Sequence, residues 1–256
     1  MIAKIDVLLA LMIIVSFLVA IPLHEWSHAL MASWLGDSTP RAEGRQQLGL
    51  RPHIDPIGIL LCITLALQPV TLATPVGLGW GKPVKPDPWK MRVGANTGVL
   101  LVAGAGPFFS LIVGLLTTLL VRLLFSFVPL GLLQNMWFLR LPQLLVVFAT
   151  VNVGLAIFNL LPLYPLDGYQ ILYTLLPSKQ AIQFARSATY GPFIILALFF
   201  FLPFLANLAQ MGDFPLFHLA SLIRQGAISL MALVFGTPFP RSFGILDTLY
   251  FLYPGG

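Results

Sequence analysis

The chain has 256 residues, 58 % of them hydrophobic and only 9 % charged, with a formal net charge of +5. Soluble domains carry roughly 25 % charged residues, so this composition excludes an ordinary soluble domain and implies a lipid-embedded chain. The basic residues fall in loops between apolar runs, which is a membrane-topology pattern and not a nucleic-acid groove; the lone cysteine, Cys62, excludes an intrachain disulfide and any cysteine metal cluster.

Val7 to Leu35 reads as one apolar helix, bent or loosened at Pro22. It could pass for a signal peptide, but no small-residue cleavage site precedes His24, and removing it would strip the next motif of its helix; it is read as retained. Near its end stands His24-Glu25-Trp26-Ser27-His28. Gly36 to Pro40 closes the helix, and residues 41–53 carry Arg41, Arg45 and Arg51, with a short strand expected at Gln46 to Leu50. Residues 54–78 are apolar but broken by Pro56, Pro69 and Pro75, and they lead into Gly79-Trp80-Gly81-Lys82-Pro83-Val84, then Lys85, Lys90 and Arg92.

A long span follows over 93–124, with small residues around Ala103-Gly104-Ala105-Gly106-Pro107 that let neighbouring helices approach. The next span, 141–161, runs into Asn159-Leu160-Leu161-Pro162-Leu163-Tyr164-Pro165-Leu166-Asp167-Gly168. Two more apolar runs, 189–208 and 215–236, complete the pattern. The stretches 36–53 and 79–93 are too short for a core of their own. The reading is a single domain over 1–256, with a catalytic core at 5–176 and additional C-terminal helices at 189–236. Its fold class is an all-α polytopic membrane protein: about five transmembrane helices plus a re-entrant apolar hairpin, six apolar segments in all, with short membrane-associated β-strands near the active site.

Histidines at i and i+4 share one helix face, where two imidazoles can hold one zinc, and the adjacent Glu25 can take a proton from a metal-bound water. Titratable groups inside a span are costly and point to function. Two histidines leave a hydrolytic zinc one protein ligand short. Asp6, Asp37, Glu43, Asp55, Asp87, Asp213 and Asp247 sit in loops or at span ends. Asp167 stands apart, because Pro162 and Pro165 forbid regular helix before it and Gly168 permits unusual backbone after it.

For His24 and His28 to meet Asp167, the first and fourth apolar segments must run in the same direction. Residues 36–92 then begin and end on one side, so 54–78 turns back instead of crossing. That side holds Arg41, Arg45, Arg51, Lys82, Lys85, Lys90, Arg92, Lys179 and Arg186, against Arg122 and Arg140 opposite, which reads as cytoplasmic.

These pieces together resemble the site-2 protease family of intramembrane zinc metalloproteases. The resemblance rests on His24 to His28, Gly79 to Val84, Ala105-Gly106-Pro107, and Asn159 through Gly168, and it is nearest to the compact branch without an inserted peptide-binding domain or a C-terminal nucleotide-binding domain. It implies Zn2+ held by His24, His28 and Asp167, Glu25 as general base, and Asn159 holding substrate or stabilising the oxyanion. It also implies a multi-pass protein of a prokaryotic cell membrane, with its site open to the cytoplasm, cleaving transmembrane protein substrates near the cytoplasmic half of the bilayer in regulated intramembrane proteolysis. Trp80, Gly81, Lys82, Pro83 and Val84 would offer an edge strand to an extended substrate; a plain interfacial loop is the other reading of that segment.

The chain departs from the family at Ser110, where Asn is frequent, and at Tyr164 and Tyr169, where Pro and Gly are frequent. His53 reads as interfacial, His218 as structural, the Gly94/Gly98 pair as packing, and Arg224 as interfacial or snorkelling. A metal-binding transporter or channel and an inactive protease-like binding protein are the competing classes; Glu25 speaks against the first and the intact ligand set against the second. A prenyl-protein-processing protease would be expected to carry a helical Glu-x-x-x-His/Asp pattern, which is not found after residue 28.

Overall fold

The computed structural model describes residues 5–69, 75–127, 135–210, 214–236 and 241–251. In chain order the helices are α1 (Val7–Trp34), α2 (Pro56–Ala66), α3 (Ala95–Phe127), α4 (Met136–Asn159), α5 (Asp167–Leu175), α6 (Ser178–Leu208), α7 (Leu219–Phe235) and α8 (Arg241–Tyr250), with single helical turns between some of them. Among the described residues, the five spans built on α1, α3, α4, α6 and α7 are long and apolar enough to cross a membrane.

α1 starts where the Asp6 carboxylate accepts from Leu9 N at 3.0 Å. Its 28 residues make it about 42 Å long, more than the ~30 Å hydrocarbon layer needs. Pro22 stays within it. Gly36, at φ +108°, ends the run in a conformation only glycine adopts freely.

α2 behaves differently. Its 11 residues reach about 16 Å, roughly half the hydrocarbon layer. Asp55 caps it, accepting from Ile57 N and Gly58 N at 3.0 Å, with Pro56 at the first helical position. The helix ends at Ala66, ahead of Pro69. The chain then comes back along it: Val76 N donates to Leu65 O, Gly58 lies against the Trp80 backbone, Ile54 faces Gly81, and Lys82 N donates to His53 O at 2.8 Å. Residues 54–81 therefore form a hairpin with both ends at the same end of α1; the connecting residues 70–74 lie outside the described set. Two further ties hold the ends together. Arg92 N donates to Leu35 O at 2.8 Å, and the Asp37 carboxylate accepts from Thr39 N at 2.9 Å and Asp87 N at 2.7 Å.

The main core forms where α1, α4, α7 and α8 meet, around Ile13, Phe17, Val147, Leu155, Met231 and Leu246. A second cluster ties the hairpin to the end of α4 and to α6 through Leu61, Trp80, Phe158, Leu166 and Phe199. Lipid is as apolar as these side chains, so cohesion rests on close packing and interhelical hydrogen bonds. Gly114 of α3 leaves no space for a Cβ against Val153 of α4.

Several expectations are corrected. No strand exists at Gln46 to Leu50: residues 43–46 turn, Gln47 N bonds Gly44 O, and Leu50 opens a helical turn. The expected β-strands near the site reduce, among the described residues, to the isolated Ile54–Gly81 bridge. Pro83, Pro86 and Pro88 remove the N–H groups a longer ladder would need. His53 is buried, not interfacial, with Nε2 at 2.7 Å from Gln47 O. Gly94 packs against nothing and serves a turn at φ +88°, whereas Gly98 does pack, on Met91. Arg224 is buried, not snorkelling: it pairs with Asp247 of the unforeseen α8 at 2.5 Å and lies under the Tyr250 and Phe251 rings.

Candidate metal centre

One turn apart on α1, the His24 and His28 rings have centroids 5.0 Å apart and planes at 76°. Asp167 reaches them from the first turn of α5, carried there by the irregular segment after α4, in which Leu163 N bonds Leu161 O and Leu166 N bonds Leu163 O. Its Oδ2 lies 3.0 Å from His24 Nε2 and its Oδ1 3.2 Å from His28 Nε2. One ligand atom from each residue falls within 4.8 Å of the others. Gly168 is needed for a reason other than backbone freedom: a Cβ there would strike Leu160 O, so glycine lets α5 start tight against the end of α4.

α3 supplies the wall behind the imidazoles, through three positions four residues apart. The Val102 carbonyl accepts from His28 Nδ1 at 2.6 Å, Gly106 leaves a gap that any Cβ would close against both rings, and Ser110 Oγ lies 2.9 Å from His24 Nδ1. The small residues of the Ala-Gly-Pro stretch thus make room for histidines more than for another helix; Gly104 touches nothing within 4 Å.

This set fits a zinc ion. A carbonyl only accepts, so Nδ1 of His28 carries a proton, and in the neutral ring Nε2 turns a lone pair toward the Asp167 carboxylate. That juxtaposition repels, and Nε2 is buried without a hydrogen-bond partner. A cation between them turns the repulsion into coordination. Tetrahedral ligands at ~2.0–2.1 Å from zinc stand roughly 3.3 Å apart, close to the contacts seen here.

A cavity of about 300 Å³ opens beside His28 and Asp167. Glu25, His28 and Asp167 line it, with Trp80, Gly81, Pro83 and Val84 on one side and Asn159, Tyr164 and Tyr169 among the rest of the wall. Glu25 is buried with Oε2 unpartnered, and a Cβ on Gly81 would stand 2.6 Å from its Oε1. Asn159 closes α4, and its Nδ2 donates to Leu155 O at 2.9 Å. Lys82 alone of the 80–84 segment stays outside the cavity wall, its main chain turned to the hairpin.

Three contributors were not foreseen. Buried Arg45 donates to the carbonyls of Pro52, Lys82 and Pro83, fastening both arms of the hairpin at the cavity mouth. Nothing in the sequence separates it from its neighbours Arg41 and Arg51. Ser110 stood out in the sequence only as a departure from the family's frequent Asn, with no partner assigned to it. The tyrosines form an aromatic wall, Tyr169 stacking on Phe184 of α6 at 4.7 Å and meeting Tyr164 edge-on at 5.6 Å. Gly191 of α6 fits against the Tyr164 carbonyl with no room for a Cβ, so α6 backs the cavity.

The model of peptidase family M50 matches residues 128–202, which include Asn159 and Asp167. A Bacillus subtilis protein named "Putative zinc metalloprotease YwhC" is 29 % identical over 224 residues, covering 87 % of this chain and 92 % of that protein. A Mycobacterium tuberculosis protein named "Putative zinc metalloprotease Rip2" is 30 % identical over 189 residues, covering 73 % of this chain and 66 % of that protein. No solved structure matches the chain.

Proposed function

Because this chain belongs to peptidase family M50, the site-2 proteases, and is a multi-pass membrane zinc metalloprotease, we propose that it hydrolyses peptide bonds of transmembrane substrates within the cytoplasmic half of the bilayer, in regulated intramembrane proteolysis. Residues 1–256 act as one domain in this reading. The observation that carries it is the meeting of His24 and His28, on a membrane-length helix, with Asp167.

His24, His28 and Asp167 would hold the zinc, which when bound would make a water more acidic and polarise the scissile carbonyl. Glu25 is the general base: buried at the cavity, with Oε2 free of partners, it takes the water proton and returns it to the leaving amine. Asn159 lines the same cavity; its amide turns from the Leu155 carbonyl to hold the substrate or the developing oxyanion.

The Trp80–Val84 segment orients the substrate. Gly81 faces Ile54 in a bridge closed by its neighbour Lys82, whose N–H goes to His53 O. In such a pair the central residue's own N–H and C=O point to the other edge, away from the hairpin. An extended substrate strand adds there, beside Glu25. A substrate helix unwinds first, since its peptide bonds are otherwise closed in its own hydrogen bonds. The nine basic residues at this end of the molecule, against Arg122 and Arg140, set the opening toward the cytoplasm.

The test combines metal analysis of the purified full chain with cleavage of a generic transmembrane substrate, wild type beside Glu25→Gln. Both should hold one zinc, with cleavage in the variant lower by about 10²–10⁴-fold and chelator abolishing it in the wild type. Chelator-insensitive cleavage, or full activity in the variant, overturns the reading.

A further inference from the structure

We propose that Ser110 is a positioning residue for His24: its hydroxyl accepts from Nδ1–H when Nε2 binds metal and donates to bare Nδ1 when Nε2 instead donates to Asp167. The inference rests on the zinc-site reading above and concerns which ring nitrogen of His24 is offered to the ion.

The two histidines have unlike partners. His28 Nδ1 faces the Val102 carbonyl at 2.6 Å, a group that only accepts, so one tautomer is imposed on it. His24 Nδ1 faces a hydroxyl at 2.9 Å, which accepts or donates by rotating one hydrogen. His24 Nε2 lies 3.0 Å from Asp167 Oδ2. A carboxylate only accepts, so that contact puts the proton on Nε2 and leaves Nδ1 bare, with the Ser110 O–H pointing at it. Binding a cation at Nε2 requires the other tautomer. The proton leaves Nε2, one is taken up at Nδ1, and the Ser110 hydrogen swings away. His24 stays neutral throughout, Asp167 stays anionic, and the Ser110–His24 contact keeps both of its heavy atoms.

Bulk solvent does not reach this contact: Ser110 and His24 are each 1 % exposed. Position 110 is one of the three places near the site, with 164 and 169, where the chain departs from the family's frequent residue. An Asn there is longer and would meet a His24 ring already at hydrogen-bond distance from the shorter serine. The serine is thus matched to the position of this imidazole, as partners behind metal-bound histidines generally are.

The experiment uses the full chain in detergent, as wild type, Ser110→Ala and Ser110→Thr. Zinc affinity is read by competition with a chromophoric chelator, and the tautomer of each histidine by ¹⁵N labelling of the four histidines. Ser110→Ala should weaken zinc binding by about 10–100-fold and change the His24 signals while leaving those of His28 alone; Ser110→Thr, which keeps the hydroxyl, should restore both. If the wild type binds no zinc, the zinc-site reading itself fails. If the wild type binds zinc and Ser110→Ala binds it equally, with His24 unchanged, Ser110 has no such role. If Ser110→Ala does not fold, the zinc-loaded wild type decides: protonated Nδ1 with metal at Nε2 of His24 supports the role, and metal at Nδ1 overturns it.

Discussion

Gly106 presses against the His28 imidazole so closely that even a methyl group would occupy the space of its Nε2. Metal affinity and the smallness of this residue are therefore coupled. Gly106→Ala should cost about 1–3 kcal/mol of overpacking, taken out of ligand geometry, and lower zinc affinity about 10–100-fold. Gly104→Ala is the control: nothing lies within 4 Å of its Cβ position, and zinc binding should be unchanged. Equal affinities for the two variants in a chelator titration would contradict the coupling.

Asp167→Ala should lose zinc and peptidase activity together, because two imidazoles coordinate weakly alone. Metal content by mass spectrometry after gel filtration is the readout. His53, the other histidine on this side, already gives its Nε2 to Gln47 O. Stoichiometric zinc in the variant would move the third ligand elsewhere.

The hairpin predicts sidedness. In a Cys62→Ser background, cysteines at Glu43 and at Trp89, both exposed, should react with a reagent confined to one face of the membrane, and a cysteine at Phe127, at the far end of α3, with a reagent on the other. Positions 43 and 89 labelling from opposite faces would mean that residues 54–78 cross.

Arg224 and Asp247 make a stability prediction. Asp247→Ala strands a buried guanidinium. Such losses run to about 3–5 kcal/mol for fully buried pairs; here Asp247 is 34 % exposed, so about 1–3 kcal/mol is expected. The double variant Arg224→Met/Asp247→Leu should recover most of it in thermal melts. A double variant as weak as the single one would show that the pair contributes little.

Asp37 supplies a pH dependence. Burial alone would raise its carboxyl, but hydrogen bonds from Thr39 and the Asp87 N–H, with Lys90 nearby, hold it below the usual carboxylate range. A depressed value means that the stabilisation is complete above the unfolded value of about 4 and is lost as pH falls through the folded one. Hydrogen exchange at residues 84–92 should therefore accelerate as pH drops below about 4 in the wild type, after correction for the intrinsic rate. Asp37→Asn should be fast already at neutral pH and flat over that range.

What the sequence made legible follows from locality. His24 and His28 are related by one helical turn, which spacing alone reveals. Asp167 stood out through Pro162, Pro165 and Gly168, and the turn-back of 54–78 through its prolines and the demand that three ligands meet. Contacts between single polar residues far apart left no such trace. Ser110 finds His24 across 86 positions and Arg45 finds Lys82 across 37, and neither has a pattern that names its partner. Arg224 looked interfacial because Asp247 and α8 were not read as structure at all. The strand expected at 46–50 failed because side-chain character was read without a partner for its backbone groups.

The Tyr250 hydroxyl donates to Pro75 O at 2.8 Å, a bond between positions 175 apart. A chain being made on the ribosome has its two histidines by residue 28, lacks the third of the proposed ligands until Asp167 emerges, and gains this last tie on the returning arm of its hairpin only when Tyr250 does. On the ligand set proposed above, the peptidase would therefore be unable to cut the apolar segments arriving beside it through most of its own synthesis and insertion.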